Sequence, residues 1–565
     1  MKSIKLIKKS LNLFLFTLFN ILQCQEPHFF VIIPTFHNKD YCIENIRTMA
    51  EQTYTDWQAI IIVDGSSEDD DGTYDLLHEY IIKNNLESRV QLIQNTERRL
   101  ALYNIYTAIH QYAEDDWVVV LYDGDDFFTT PDALKRIAQE YKNNSPWFTY
   151  GQYSNYPANT LGNCRPFPHE INQSNGYRSY PWIASHPRTF YAWLFKQIKL
   201  QDLLHNGKFF PMAWDVAFLP MLEMAGAEHI SFIPDILYGY RHHANNDYAQ
   251  NLALQLGLEK VIRSQSKYSK LKYKPLQKKN IHKMADIIIY SKDRPLQLEA
   301  LLESINENVT GINAIKVIYK ASSASFDKAF EELKIRYRSV HFINEKKQKG
   351  MNFKKITLQV LEKSTADYVV FGVDDNLVTS PINLSKAIDD LETTKAFGVF
   401  FRMGLNIHYC VPEQNNKYYE TPPLIQLDED TYAWQFGTGV DNYRYSYCSG
   451  DWRYPTSVDM SLYRKKEILK ELSAIQFNNP NTLEGNWSCT IPKKMRKIGI
   501  CFKTSKCINV PLNSVKDGVP LPNMNVTTQE LLQKFNQGFK LDWKSLTTKT
   551  FDSVHVMHAP TYINR

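Results

Sequence analysis

No two cysteines of this 565-residue chain stand at metal-binding spacing. The eight, at positions 24, 42, 164, 410, 448, 489, 501 and 507, form no C-x-x-C and have no histidine-spaced partner, which argues against a zinc site. Beyond the first two dozen residues no apolar run approaches the roughly 20 residues that a membrane-spanning helix needs, so the rest of the chain reads as soluble. Charge of one sign is also lacking. Lys and Arg number 65 against 61 Asp and Glu, giving +4, and the basic residues are dispersed, so nucleic-acid binding has no electrostatic support. After the first apolar strand comes Pro34-Thr35-Phe36-His37, with none of the Gly-rich basic character of a phosphate loop, which disfavours a nucleotidyltransferase.

What is present is an ordinary globular composition, 43% hydrophobic and 22% charged. The length suits roughly two to four domains. Aromatics reach 13%, with 34 Tyr and 10 Trp, which serves sugar-stacking surfaces as well as cores. The start is basic, with Lys2, Lys5, Lys8 and Lys9, and is followed by an apolar stretch from Leu11 to Leu22. Residues 1–24 read as a secretory signal peptide or a short membrane anchor, with an amphipathic surface leader as the alternative. The expected location is therefore membrane-associated or exported, with the cytoplasmic membrane face as the other option. Export would let Cys410, Cys448, Cys489, Cys501 and Cys507 form disulfides, whose pairing the sequence does not specify.

From Phe29 onward strands alternate with helices. Phe29–Ile33 reads as a strand, and Tyr41–Gln52 as a helix with Asp40 as its N-cap. Trp57–Val63 reads as a second strand ending in Asp64-Gly65-Ser66-Ser67, Val90–Gln94 as a third, and Ala101–Tyr112 as a helix. A fourth strand, Trp117–Leu121, runs into Asp123-Gly124-Asp125-Asp126. This spacing implies right-handed crossovers and a mainly parallel sheet whose strand ends share one rim, where ligands of open α/β sheets bind. Three carboxylates within four residues repel one another, and a divalent cation carrying a diphosphate would relieve that repulsion. A solvated Asp/Gly turn is the plain alternative.

The segments Val31-Ile-Ile-Pro-Thr-Phe, Glu51-Gln-Thr-Tyr, Ile62-Val-Asp-Gly-Ser-Ser and Asp123-Gly-Asp-Asp, in this order, resemble family 2 glycosyltransferases of the GT-A fold, over about Phe29 to Asn246. The resemblance implies a metal-dependent, inverting hexosyl transfer from a nucleotide-sugar donor, UDP-linked, to a glycan, glycolipid or glycoprotein. Carried over position by position, Pro34 and Thr35 line the base, Asp64 holds uracil or ribose, and Arg98 supports them. Asp123, with Gly124 beside it, contacts the ribose or the ion, and Asp125 ligates Mn²⁺ or Mg²⁺. Val63 stands where the family usually has a first acid. Asp215, in Ala213-Trp-Asp-Val-Ala-Phe-Leu219, is the candidate base, its alternative being a helix cap. Arg241 and His243, in Tyr240-Arg-His-His-Ala-Asn-Asn246, contact phosphate or metal. Residues 146–208, rich in Tyr, Trp, Pro and Asn and including His186 and Arg188, read as the acceptor-side wall. A non-catalytic carbohydrate-binding protein on the same scaffold is the competing reading.

A lysine-rich segment, 264–283, separates residues 25–263 from a second half, 284–565, and reads as a solvated linker or a patch leaning on an anionic membrane. The second half repeats the alternation, with strands at Asp286–Tyr290, Ala314–Tyr319, Val340–Ile343 and Tyr368–Val373, and helices at Leu296–Ile305 and Asn352–Glu362. It ends its fourth strand in Asp374-Asp375-Asn376 and more weakly resembles a second GT-A-like domain. Lys320-Ala-Ser-Ser supplies no acid equivalent to Asp64. The expected architecture is therefore α/β, two tandem GT-A domains of Rossmann-like, mainly parallel sheets. Asp374, Asp375, Asp459 and Glu484 are the second domain's candidate residues, for transfer of another sugar or for binding the acceptor.

Overall fold

The computed structural model describes residues 26–211, 215–243, 247–274, 283–411, 420–436, 450–489, 497–513 and 524–565. The leader, Cys24, Cys448, Ala213, Trp214, Ala244, Asn245 and Asn246, together with Lys278 and Lys279 of the basic segment, lie outside these ranges. The chain divides into two compact units, Met1–Leu203 with Phe209–Leu276, and Leu204–Lys208 with Gln277–Arg565. Among the described residues no helix is long and apolar enough to cross a membrane.

In the first unit, strands β1 (Phe29–Thr35), β2 (Trp57–Val63), β3 (Val90–Gln94), β4 (Val118–Leu121), β5 (Phe127–Phe128), β6 (Phe148–Tyr156), β7 (Arg188–Tyr191) and β8 (Ile230–Arg241) lie in the order β3-β2-β1-β4-β7-β6-β8-β5. The first four are parallel, with Ile32 opposite Leu121 and Thr35 opposite Val63. All of β4, Val-Val-Val-Leu, is buried. Each such side chain contributes about 1.5–3 kcal/mol when removed from water. Strand β7 runs antiparallel between β4 and β6. Helices α1 (Cys42–Ala50), α2 (Thr73–Lys83), α3 (Ala101–Tyr112) and α4 (Ala133–Asn144) flank the sheet, and α5 (Asp215–Ala225) follows later. The α1 boundary differs from expectation. Tyr41 is its N-cap and Asp40 makes no cap, because the Asn38 carbonyl already accepts from the Tyr41 and Cys42 N–H groups at 2.9 and 2.8 Å.

The second unit repeats this plan. Its strands β9 (Ala285–Lys292), β10 (Ile312–Lys320), β11 (Val340–Asn344), β12 (Tyr368–Val373), β13 (Asn376–Val378), β14 (Gly398–Gly404), β15 (Thr431–Gln435), β16 (Ser461–Arg464), β17 (Ile498–Phe502) and β18 (Cys507–Asn509) include a sheet ordered β11-β10-β9-β12-β16-β14-β17-β15, extended by Leu424–Gln426. Again the first four in sequence are parallel and an antiparallel strand, β16, is inserted between β12 and β14. Helices α6 (Pro295–Asn308), α7 (Phe353–Glu362) and α8 (Pro480–Ser488) pack in this unit. Of the cysteines considered for disulfides, Cys410, Cys489, Cys501 and Cys507 are free thiols. Cys501 and Cys507 are enclosed on different strands, where burial pushes both thiols up.

Candidate active site

The strand register builds the floor of the first unit's site. The Asp64 N–H donates to the Thr35 carbonyl at 2.8 Å and the Gly124 N–H to the Pro34 carbonyl at 3.2 Å, so both acidic turns flank the end of β1. Only glycine fits at 124. A Cβ there would lie 2.6 Å from Thr35 Cβ and Oγ1 and 3.0 Å from the Pro34 oxygen.

Asp64 is buried, and its carboxylate ties the end of β2 to the start of α3. Oδ1 accepts from Asn95 Nδ2 and the Arg99 N–H, both at 2.8 Å, and Oδ2 accepts from the Leu100 N–H at 2.7 Å. Beside it the Arg98 guanidinium lies 3.9 Å above the Phe36 ring, which stacks at 3.9 Å on His37. The result is a flat cationic and aromatic ledge at the end of β1, a surface on which a planar base can lie.

The acid turn is held from below by Asn45 on α1, whose Nδ2 donates to the carbonyls of Asp123 and Asp126 at 2.8 and 2.9 Å. Asp123, Asp126 and His186 each offer a ligand atom, all within 4.8 Å of one another. Asp126 is 1% exposed, and its Oδ1 accepts from the Arg241 N–H at 2.8 Å. Its Oδ2 has no hydrogen-bond partner among the described residues. Burial, then the charges of Asp125 and Asp123, push this carboxyl well above its ordinary range. His186 is buried and stacks on Tyr238 at 4.6 Å, with Arg188 Nη2 3.3 Å from its Nδ1. Burial and Arg188 hold its pKa well below the usual value, which keeps the imidazole neutral and able to ligate. A buried oxygen without a partner, a second carboxylate and a neutral imidazole fit a hard divalent cation.

Asp125 and His243, both expected as metal ligands, meet directly, His243 Nε2 lying 2.8 Å from Asp125 Oδ2. Arg241 is almost fully buried. Its Nε donates to the Asp125 carbonyl at 2.9 Å, its Nη2 to Glu44 Oε2 at 2.5 Å, and the rings of Tyr41, Phe127 and Tyr156 surround it at 4.9–5.1 Å. Expected to contact phosphate or metal, it stands in the structure as the bolt between β8 and the acid turn.

Residues 30–202 match the family model of glycosyl transferase family 2. The first unit thus carries a glycosyl transferase family 2 domain. The chain is 25% identical over 234 residues to the bifunctional glycosyltransferase pgtA of Dictyostelium discoideum, covering 37% of this chain and 28% of that protein. The chain thus spans little more than a quarter of that relative. Among solved structures, S. aureus TarS 1–349 in complex with UDP-GlcNAc is similar at 17% identity and a TM-score of 0.31, over 41% of this chain and 66% of that one. The mannosyltransferase PcManGT from Pyrobaculum calidifontis, in complex with GDP-Man and Mn²⁺, is similar at 17% identity and a TM-score of 0.32, over 44% and 67%.

Asp215 is the first residue of α5 in the transferase domain, and its side chain lies outside the described residues. Sequence reasoning missed Asn45, Asp126 and His186 as members of the transferase site. Asp126 was legible as the third acid of its turn. His186 and Asn45 carried no local signal, since the pairing of β7 with β4 and the packing of α1 under the turn bring them in.

In the second unit, Asp374, Asp375, Asp459 and Glu484 all line one cleft of about 600 Å³. Arg294 Nη1 lies 2.9 Å from Asp374 Oδ1 and 3.1 Å from Asp375 Oδ2. Asp459 is paired with buried Arg402 at 2.7 Å, and Glu484 Oε1 accepts from the Val458 N–H at 2.6 Å. Burial raises the Asp375 carboxyl to about 6, and burial together with Asp459 raises that of Glu484 to about 8.

Proposed function

We propose that the first unit transfers a hexosyl residue from a nucleotide-sugar donor, UDP-linked, to a glycan, lipid or protein hydroxyl, with inversion and with Mn²⁺ or Mg²⁺. The observation that carries the cation is the buried Asp126 Oδ2, without a hydrogen-bond partner among the described residues, close to Asp123 and His186. Asp123, Asp126 and His186, with Asp125 and His243 beside them, would hold the ion, which neutralises charge developing on the diphosphate leaving group. The Arg98–Phe36–His37 ledge carries the base, and the Asp64 carboxylate fixes the loop that bears Arg98. Asp215 at the start of α5 takes the proton from the attacking hydroxyl, which then bonds to the anomeric carbon as the bond to phosphate breaks.

A panel of nucleotide sugars, assayed for hydrolysis and transfer with and without a chelator, tests this. Wild-type turnover should need a divalent ion. Asp125→Asn should lower it by about 10²–10³-fold, the scale of losing one group that stabilises leaving-group charge. Unchanged turnover and metal titration in that variant would reject the reading. Asp215→Asn should abolish transfer while calorimetric donor affinity stays within about twofold, as expected for a group that acts on the proton alone. Lost affinity instead reassigns Asp215 to binding.

A further inference from the structure

The two units can be matched residue by residue at their acidic turns. After the first strand of each sheet stands one left-handed residue, His37 at φ 52° and Asp293 at φ 56°. Counting back from these sets Pro34 against Tyr290, whose carbonyls accept from the Gly124 and Asp374 N–H groups respectively. Asp123 then corresponds to Val373, Asp125 to Asp375 and Asp126 to Asn376. On the inserted antiparallel strands Leu121 pairs with Arg188 and Phe371 with Ser461, which sets His186 against Asp459. Two of the three first-unit ligands are thereby replaced by groups that do not bind cations well, and the third position is neutralised by Arg402.

The next residue along completes the change. Asn38 corresponds to Arg294, and the guanidinium of Arg294 occupies the acids that remain, Asp374 and Asp375. Arg294 is in turn fixed by Asn513, whose Oδ1 accepts from Arg294 Nε at 2.7 Å and from Gln297 Nε2 at 3.3 Å. With Oδ1 so oriented, Asn513 Nδ2 is left without an acceptor among the described residues, although the side chain is 6% exposed and lines the cleft. Ser291, 7% exposed, also lines it with an unpartnered Oγ. A buried polar group without a partner costs about 1–3 kcal/mol, so both positions call for a ligand that hydrogen-bonds.

The charge balance indicates which ligand. The three cations lining the cleft, Lys292, Arg294 and Lys320, are matched in number by the carboxylates of Glu345, Asp374 and Asp375, with Arg294 tied to the last two and Lys320 to Glu345 at 3.3 Å. Glu484 holds its proton at neutral pH. The walls add the amides of Asn478, Asn479, Asn481 and Asn509. A diphosphate needs uncompensated positive charge or a bridging ion, and this cleft is built around neither. It offers amides, hydroxyls and neutralised carboxyls, which match the hydroxyls of an uncharged sugar.

We propose that the second unit's cleft binds a neutral oligosaccharide without a divalent cation. The proposal is independent of catalysis in the first unit. The test uses the full-length protein on a printed array of neutral and acidic glycans, in chelator and in Mn²⁺, followed by titration of the best neutral glycan and of UDP and GDP. Retention of neutral glycans should be equal in both buffers. Ser291→Ala removes a hydroxyl that bonds nothing among the described residues, so its melting temperature should hold while glycan affinity falls by roughly tenfold, the scale of one lost hydrogen bond. Asn513→Ala should lose more but also loosens Arg294, which makes Ser291→Ala the deciding variant. Asp125→Asn should leave glycan affinity unchanged. The proposal is overturned by no retained neutral glycan, by binding that needs Mn²⁺, by affinity that Ser291→Ala does not alter, or by UDP or GDP binding that Ser291→Ala weakens.

Discussion

The two units share a strand order and diverge in what faces their acids. In the first, Asp123, Asp125 and Asp126 are met by His186 and His243, Arg188 stands off at 3.7 Å from Asp123 Oδ2, and Asp126 Oδ2 has no hydrogen-bond partner among the described residues. In the second, Arg294 lies against Asp374 and Asp375, and Arg402 against Asp459. One backbone can therefore present the end of its fourth strand either as an open cluster of acids and imidazoles or as a closed internal ion pair. Val373 and Asn376 stand where the first unit has Asp123 and Asp126, and the residue after the left-handed turn of the first loop, Asn38 or Arg294, completes the separation. A motif such as Asp-Asp at a strand end is thus uninformative until its counter-charge is known.

Three substitutions probe that contrast. The largest effect is expected from Arg294→Met, which leaves two buried carboxylates uncompensated and should cost the second unit about 3–5 kcal/mol, read from its denaturant midpoint. Added Mn²⁺ or Mg²⁺ should then raise the melting temperature of this variant, which it should not do through the second unit of the wild type. Absence of that gain would mean that Asp374 and Asp375, without counterparts of Asp123 and Asp126, do not hold a cation even when freed of the arginine. Next is Gly124→Ala, whose Cβ would collide with Thr35 and should destabilise the first unit by about 1–3 kcal/mol and raise the donor KM. An unaltered KM would show that this turn does not shape the donor pocket.

The smallest effect concerns proton linkage at Glu484. Its folded-state pKa of about 8 lies above the ordinary 4.5, so the folded state binds the proton more tightly than the unfolded one. The resulting stability is fully present below about pH 4.5 and is lost progressively as pH rises to about 8. Glu484→Gln retains the acceptor for the Val458 N–H and should flatten that part of the melting profile. A profile that superimposes on wild type would place the ionisable group elsewhere.

Much of the fold was legible because apolar runs carry their own boundaries. Strands β2, β3 and β12 and helix α3 begin and end where the sequence places them. The miss at Asp40 arose because a backbone carbonyl, invisible in composition, took the capping role. The site was legible only in its local part. Asp123 and Asp125 declare themselves within one tetrapeptide, whereas His186, Asn45 and Arg294 arrive by antiparallel pairing, helix packing and a loop crossing, none of which leaves a periodic trace. Asp64 was read as a nucleotide ligand, and its carboxylate is engaged by three of the protein's own donors.

Arg294 is covalently part of the chain, so the balance it provides cannot be diluted, chelated or outcompeted. Starving the solution of divalent ions should therefore halt sugar transfer while a glycan already seated in the second cleft stays in place. Ion supply would then act as a brake on turnover alone, and the enzyme would pause with its glycan aboard.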